Sequence, residues 1–366
     1  MIANSKKRNG LSVAPPSLMN LLGVVYAHTK MSDEGDLYLT EYGFLYSDLL
    51  DIENWFEREW FENHRVKLSG TSSVFRVPTK EIDGKRLTLV VKNNRVGEDV
   101  PVDTHTLCEF INAEFNSPWE EFSLAMNLRE SRFGSKDIKI STQQPLAIYI
   151  PPEKFQLWQT GRSREKINKI VLRHPSINLD ILRQYKMVYK WIEGLNIVEA
   201  YREIGFTGRE LEDQVTPITA KVLHDLEVKG FVMADIKPTH VIISEKHVRQ
   251  LKNLGRDGTA NTLELQSEFL HSLIENNQYS VVDYELLKRS PDYDNQVKSQ
   301  RRHTYLEDQR DRFQTSPLPP FLSQNEIFDV PYVNGHVEST GGLLWVVGRN
   351  PRLFDYFLPE RWRRTE

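Results

Sequence analysis

The spacing of apolar residues changes twice along this chain of 366 residues. Over residues 18–63 the apolar positions recur at helical intervals, which predicts an amphipathic helical segment packed against the domain behind it. From residue 66 to residue 93 they form short apolar runs between turn residues, which predicts strands. Helical spacing returns after Gly194, most clearly over residues 209–229, with Gly230 as the helix stop. The pattern therefore predicts an α+β protein with a strand-rich first half and a helical second half.

These elements divide the chain into three predicted parts. The first, residues 1–63, consists of a mobile arm and a helical extension. The second, residues 64–192, contains the strands and one helical stretch, with a charged insertion at about 152–180. The third, residues 193–366, is mainly helical, with a polar insertion at about 245–277 and a C-terminal extension.

The bulk composition excludes several classes of protein. Charged residues make up 27% and hydrophobic residues 39%, which is ordinary for a globular protein. The net charge of −4 leaves no basic footprint for nucleic acid, so we expect no nucleic-acid partner. The longest N-terminal apolar run is too short to span a bilayer, and Pro15, Pro16 and Asn20 argue against a signal peptide. One cysteine, Cys108, excludes an internal disulfide and suits a reducing compartment, so we expect a cytoplasmic protein.

The stretch 231–243 carries the clearest chemical pattern. It places Asp235 and Lys237 two residues apart on a short loop, followed by Pro238 and an apolar strand-like run. Such a loop offers a carboxylate to an attacking hydroxyl and an ammonium to a phosphate. A helix-to-strand turn, with a capping Asp and a solvated Lys, has the same composition.

This stretch resembles the catalytic loop of the protein-kinase-like superfamily, His-Arg-Asp-x-Lys-Pro-x-x-Asn. Met233 and Ala234 stand at the His and Arg of that pattern, and His240 stands at its Asn. The resemblance implies that Asp235 orients the substrate hydroxyl and that Lys237 neutralises the transferring phosphate. It also implies a bilobed kinase-like fold, in which the second part of the chain is an antiparallel-sheet N-lobe and the third a mainly helical C-lobe.

The resemblance extends to a nucleotide site. Lys92 ends the run Leu-Val-Val-Lys, which is similar to the family's Val-Ala-Ile-Lys and implies contact with the α- and β-phosphates. Upstream, Gly70, Thr71 and Ser72 form a turn with one glycine where the family has three. This turn is either a phosphate-binding loop or an ordinary hairpin turn. Glu193 lies in Lys-Trp-Ile-Glu-Gly, which resembles the hinge whose backbone binds adenine.

The family pairs its phosphate-binding lysine with a glutamate on the following helix. Helical spacing over about 103–129, with Pro118 at the start of the second half, offers Glu114, Glu120 and Glu121. The sequence leaves open which of the three faces the lysine.

Metal ligands are implied by Val-Val-Asp-Tyr-Glu, which is similar to the family's Asp-Phe-Gly. Asp283 would hold Mg²⁺, and Glu285, at the position of the Gly, would add a second carboxylate. For His240 three interpretations stay open: a ligand for Mg²⁺ or Mn²⁺, a hydrogen-bond partner that holds the Asp235 loop, or a sign of lost catalysis.

The resemblance implies an ATP-dependent phosphotransferase that transfers the γ-phosphate to a hydroxyl of a small molecule or a protein. There is no Ala-Pro-Glu segment, and 83 residues follow Asp283, which favours an atypical or small-molecule-kinase-like member. The alternative is a catalytically inactive pseudokinase that binds nucleotide or a protein partner as a scaffold. A third hypothesis is an unrelated α+β enzyme in which the motifs match by chance.

Overall fold

The computed structural model describes residues 16–68, 73–98, 100, 114–174, 177–255 and 261–297, and the backbone of 332–333 and 336–337. The chain divides into two compact units, residues 1–288 and residues 289–366, each of which is described by itself. The second unit contains a helical stretch at 291–297 and a short antiparallel pair formed by Tyr332–Val333 and His336–Val337. All candidate site residues belong to the first unit.

A large sheet of eight strands organises the first unit. Its strands are β1 (Ser17–Leu21), β2 (Val24–Lys30), β3 (Asp36–Leu39), β4 (Val66–Lys67), β5 (Val74–Pro78), β6 (Thr88–Asn93), β8 (Pro145–Ile150) and β9 (Lys186–Lys190). Their order is β1-β2-β3-β8-β9-β6-β5-β4, with antiparallel pairing throughout. The central strands β8, β9 and β6 are almost wholly buried, as their continuous apolar runs require.

A smaller sheet follows the order β10-β12-β13-β7, from β7 (Ser141–Thr142), β10 (Gly194–Asn196), β12 (Val241–Ser244) and β13 (Ser280–Val281). The remaining strands of the first unit's sequence are β11 (Phe231–Met233) and β14 (Leu287–Arg289). The helices are α1 (Glu41–Phe44), α2 (Arg58–His64), α3 (Pro118–Arg129), α4 (Arg164–Arg173), α5 (Ile197–Glu203), α6 (Gly208–Val228), α7 (Glu245–Leu254) and α8 (Thr262–Glu275). Short 3₁₀ helices lie at Ile52–Asn54, Leu157–Thr160 and Pro238–His240.

The predicted α+β class is confirmed: the molecule combines an antiparallel sheet with several helices. The strands expected between 66 and 93 appear as β4, β5 and β6. The helix expected over 209–229 is α6, and Gly230 follows it with a φ of +74°, which glycine adopts without a steric penalty.

The helical segment predicted over 18–63 is wrong. Strands β1, β2 and β3 occupy residues 17–39 and join the large sheet, and only the short helices α1 and α2 follow. The two-residue turn between β1 and β2 has positive φ at both Leu22 and Gly23, as a tight hairpin requires. The apolar residues that suggested a helix, among them Leu50 and Trp55, are buried in turns and a 3₁₀ helix beneath the sheet.

The stretch 245–277, predicted to be a polar insertion, forms α7 and α8 in its described part. Both helices are amphipathic: α7 buries Val248 and Leu251, and α8 buries Leu270 and Leu273. The apolar stripe of each helix is what allows it to pack on the core. Within the described residues, no helix is both long enough and apolar enough to cross a membrane.

Candidate functional site

A buried lysine is surrounded by three carboxylates near the end of β6. The Nζ atom of Lys92 lies 2.6 Å from Oδ1 of Asp283, 3.1 Å from Oε2 of Glu285 and 3.3 Å from Oε1 of Glu121. The lysine is only 5% exposed. A buried ammonium is stable only when it is paired, and here it joins strand β6, helix α3 and the segment after β13. We call these four residues the Lys92 cluster.

Helix α3 delivers Glu121 to the cluster because its first turn is closed by a capping box. The Ser117 hydroxyl accepts a hydrogen bond from the Glu120 amide, and the Glu120 carboxylate accepts one from the Ser117 amide. With Glu120 used at the cap, Glu121 points inward and is fully buried, and it accepts a hydrogen bond from the Tyr189 hydroxyl at 2.9 Å.

Of the three candidate glutamates, Glu121 is the one that contacts Lys92. Glu120 instead contacts His174, and Glu114 forms an ion pair with Arg173. The capping sequence Ser-Pro-Trp-Glu was visible in the chain and could have assigned Glu120 to the cap beforehand.

The segment after β13 delivers the other two carboxylates. Asp283 has a φ of +67°, in the left-handed region that Asp tolerates better than most residues. Glu285 is 5% exposed and contacts two cations, Lys92 through Oε2 and Arg95 Nη1 through Oε1 at 3.4 Å. Both oxygens of Glu285 are therefore engaged within the protein.

The pKa values of Glu121 and Asp283 are shifted in opposite directions, although both carboxylates contact Lys92. Burial is the main cause that raises the pKa of Glu121 to about 7; Lys92 opposes the rise, and the neighbouring carboxylates of Glu285 and Asp283 add to it. Burial also acts to raise the pKa of Asp283, but the ammonium of Lys92, helped by Lys237, outweighs it and holds that pKa at about 2. Burial works against the charge on Lys92, but the three carboxylates raise its pKa above the ordinary value. Lys92 and Asp283 are therefore ionised at neutral pH, whereas Glu121 titrates close to neutral pH.

The Asp235 loop lies beside this cluster. Lys237 Nζ donates a hydrogen bond to Asp235 Oδ2 at 3.0 Å, and the lysine side chain is 49% exposed. His240 ends the 3₁₀ turn after Lys237, with Nε2 3.8 Å from Asp283 Oδ2, and its carbonyl accepts a hydrogen bond from the Val282 amide. The backbone of His240 therefore joins the Asp235 loop to the segment that carries Asp283, and the imidazole lies beside the Asp283 carboxylate.

His240 is poorly suited to carry a charge. Burial lowers the pKa of His240, although Asp283 and Asp235 partly oppose the effect. Its Nδ1 atom is buried and has no hydrogen-bond partner within the part of the chain that the structure describes. A neutral imidazole with one unpartnered nitrogen can accept a hydrogen bond or bind a metal.

The fit to a divalent cation rests mainly on one carboxylate. Among the described residues, no group of three or more His, Cys, Asp or Glu side chains is arranged to hold a metal ion. Glu285 is engaged by Lys92 and Arg95, whereas Asp283 directs Oδ2 towards His240 and away from the lysine. Carboxylate oxygen suits Mg²⁺, so Asp283 is the better placed of the predicted ligands.

The remaining predicted site residues are the turn residues Gly70, Thr71 and Ser72 and the hinge residue Glu193. Gly70, Thr71 and Ser72 fall outside the described residues. Glu193 is exposed, and its carbonyl accepts a hydrogen bond from the Glu245 amide at 2.8 Å, at the junction of β10 and α7.

Sequence reasoning missed Tyr189, Arg95 and His174. Tyr189 pairs with Val90 across β6 and β9, so it lies on the same face of the sheet as Lys92. Strand alternation would have placed it there once the register was known. Arg95 and His174 carry no comparable signal, because their contacts depend on how separate segments pack.

A scan against protein-family models finds no match for this chain, and a search of curated proteins finds no significant similarity. The site itself is therefore the basis on which a function can be assigned.

Proposed function

We propose that this protein is an ATP-dependent phosphotransferase of the kinase-like superfamily, built on a bilobed kinase-like fold. The observation that supports this most strongly is the Lys92 cluster. A buried lysine on a strand contacts a glutamate from a helix and an aspartate 191 residues further along the chain. The Asp235–Lys237 pair lies beside it. This combination supplies the positioned charges that phosphoryl transfer requires.

In this proposal Glu121 holds the Lys92 ammonium in place, and the α- and β-phosphates of ATP replace part of its carboxylate contacts. Asp283 would hold Mg²⁺ (or Mn²⁺), which neutralises charge on the phosphates when it is bound. Asp235 would accept a hydrogen bond from the acceptor hydroxyl and orient its oxygen towards the γ-phosphorus. Lys237 would leave Asp235 and pair with the transferring phosphate, which its exposure permits.

The acceptor is a hydroxyl group of a small molecule or a protein. The absence of an Ala-Pro-Glu segment favours an atypical or small-molecule-kinase-like member. A single cysteine suits a reducing compartment, and we propose a cytoplasmic location on that ground.

Nucleotide binding is the first test. ATP with Mg²⁺ should raise the melting temperature, since a ligand at a hundredfold excess over its dissociation constant adds about 2.7 kcal/mol to the free energy of unfolding. Lys92→Ala should lose the shift, measured against its own melting temperature without ligand. If millimolar ATP leaves the melting temperature of the wild-type protein unchanged, an unrelated α+β enzyme or a scaffold without nucleotide becomes the better hypothesis.

Transfer is the second test, with ADP release measured over a panel of hydroxyl acceptors. Asp235→Ala should abolish transfer and leave the ATP-induced melting shift intact. Asp213→Ala, on the exposed face of α6, is the matched control and should keep full activity. Transfer by Asp235→Ala at the wild-type rate would remove Asp235 from the reaction.

A second candidate function is the pseudokinase scaffold, which is supported by the ion pairs that the site's lysines already form. Lys92 is already surrounded by three carboxylates, and Lys237 is already paired with Asp235, so the cations of the site are neutralised within the protein. His240 and Glu285 also depart from the family pattern. An ATP-induced melting shift without transfer to any acceptor would favour the scaffold. His240→Asn would then be the variant to test for restored Mg²⁺-dependent transfer.

A further inference from the structure

The charged segment that begins at residue 152 ends against the helix that supplies Glu121. His174 follows α4 and is 8% exposed. Its Nδ1 atom lies 3.1 Å from Oε1 and 3.0 Å from Oε2 of Glu120. Arg173, the last residue of α4, forms an ion pair with Glu114, just before α3. Two consecutive residues of the segment thus bind the start of α3.

Helix α4 also reaches the loop that follows β6. Ile170 is buried on α4, and a Cβ atom added at Gly97 would lie 2.9 Å from its Cδ1 atom. Gly97 has a φ of +78°, so this close approach and the backbone conformation both call for glycine. The same loop carries Arg95, whose guanidinium contacts Glu285 and stacks over Phe115 at 4.1 Å.

These contacts converge on the Lys92 cluster from two sides. Through Glu120, α4 holds the first turn of α3, where the next residue is Glu121. Through Gly97, it supports the loop from which Arg95 binds Glu285. The Glu120 carboxylate is the shared element, since it closes the capping box with Ser117 and contacts His174 at once.

We propose that segment 152–174 sets the geometry of the Lys92 cluster, with His174 as a positioning residue that acts through Glu120 on Glu121. A change in the contacts of segment 152–174 should therefore change the affinity of the site for ATP. This inference rests on the proposed function for the identity of the ligand, whereas the state of Lys92 itself can be measured without any ligand.

The test without ligand measures acylation of lysine amines by an amine-reactive reagent, quantified at each residue by mass spectrometry. A buried lysine held among carboxylates reacts slowly, because it is both protonated and shielded. His174→Ala should raise the acylation rate of Lys92 by about threefold or more, the size expected for loss of one coupling contact. His174→Gln keeps a hydrogen-bond donor for Glu120 and should restore a slow rate.

Two controls separate positioning from general loosening. Trp158→Ala alters a side chain in the same segment that is 79% exposed, and it should leave the Lys92 rate unchanged. Lys229, which is fully buried at the end of α6 and donates to the Ser135 carbonyl, serves as an internal reference. An equal rise at Lys229, or an unchanged rate at Lys92 in His174→Ala, would overturn the proposal.

The test with ligand is a double-mutant cycle on ATP affinity. His174→Ala should weaken ATP binding by about threefold or more in the wild-type background and have little effect in a Glu121→Gln background. Equal losses in both backgrounds would contradict action through Glu121. If the wild-type protein binds no ATP, the proposed function fails, but the acylation rates still decide the role of His174.

Discussion

Two lysine–aspartate pairs lie side by side in this protein, and their lysines are in opposite environments. Lys92 and Asp283 are 2.6 Å apart, and the lysine is buried among two further carboxylates. Lys237 and Asp235 are 3.0 Å apart, and half of the lysine side chain is in solvent. A lysine–aspartate contact is therefore fixed at Lys92 and Asp283, whereas at Lys237 and Asp235 the lysine can exchange its partner.

The difference follows from solvation. Removal of one partner from a buried pair leaves a charge without water or counter-ion, which costs about 3–5 kcal/mol. An exposed pair is worth about 0–1 kcal/mol, because water replaces the missing partner. A site that must hold one group still while releasing another to a substrate can use both kinds of pair.

The largest effect is expected from Lys92→Met, which keeps the length of the side chain and removes its charge. It leaves the buried carboxylates of Glu121 and Glu285, and the partly buried one of Asp283, without their shared cation. We expect the free energy of unfolding to fall by about 3–5 kcal/mol, measured by urea denaturation at pH 7. Lys237→Met is the matched control, and an equal loss in the two variants would remove the contrast between the pairs.

The second prediction concerns pH. Burial raises the pKa of Glu121 to about 7, above its ordinary value of 4.5. Its contribution to stability is therefore complete below about pH 4.5 and is lost as the pH rises through 7. Glu121→Gln cannot ionise, so its stability relative to wild type should rise by about 2–3 kcal/mol between pH 4.5 and pH 8.

Asp283 does not interfere with this measurement. Its pKa is held at about 2, so its contribution is present above pH 3.8 and is lost only as the pH falls through 2. Urea midpoints at four pH values between 4.5 and 8 are sufficient. Parallel curves for wild type and Glu121→Gln would show that Glu121 keeps an ordinary pKa, and that the negative charge is shared differently in the cluster.

The chemistry of the site could be predicted further than its geometry. Lys92 lies near the end of an apolar strand, and Asp235 and Asp283 each follow one, a local pattern that strand burial imposes on the sequence. The choice between Glu120 and Glu121 depends on the rotation of α3, which Ser117 and a distant segment fix together. Such a contact between segments leaves no local periodicity.

The N-terminal region shows the same limit in the fold. Leu50 and Trp55 belong to a run of apolar residues with helix-like spacing, yet they are buried from turns, with the Trp55 indole donating to the Leu50 carbonyl at 3.0 Å. In β2, Tyr26 and Ala27 are consecutive and both buried, so the strand lacks the alternation of a half-exposed strand. A strand that is buried on both faces of its sheet lacks the alternation of apolar and polar residues by which a sequence would identify it.

The third prediction uses two capping boxes, one on the helix that supplies Glu121 and one on a helix that supplies no residue of the Lys92 cluster. Ser117→Ala at α3 and Asn196→Ala at α5 each remove a side-chain cap, so each should lower the free energy of unfolding by about 1 kcal/mol. Only Ser117→Ala should also raise the acylation rate of Lys92, because α3 carries Glu121. A similar rise in both variants would mean that the cluster responds to stability in general.

The smallest effect on stability is expected at the Asp235–Lys237 pair, whose lysine is half exposed, so Asp235→Asn and Lys237→Met should each change the free energy of unfolding by about 0.5 kcal/mol or less. The contact is screened by solvent, so added salt should reduce even that difference. Urea denaturation at low and high ionic strength measures both quantities. A loss of several kcal/mol in either variant would mean that Lys237 is held as firmly as Lys92, and it could not then leave Asp235 to meet a phosphate. A near-neutral result, joined to the loss of transfer expected for Asp235→Ala, would separate the residue's chemical role from any part in holding the fold.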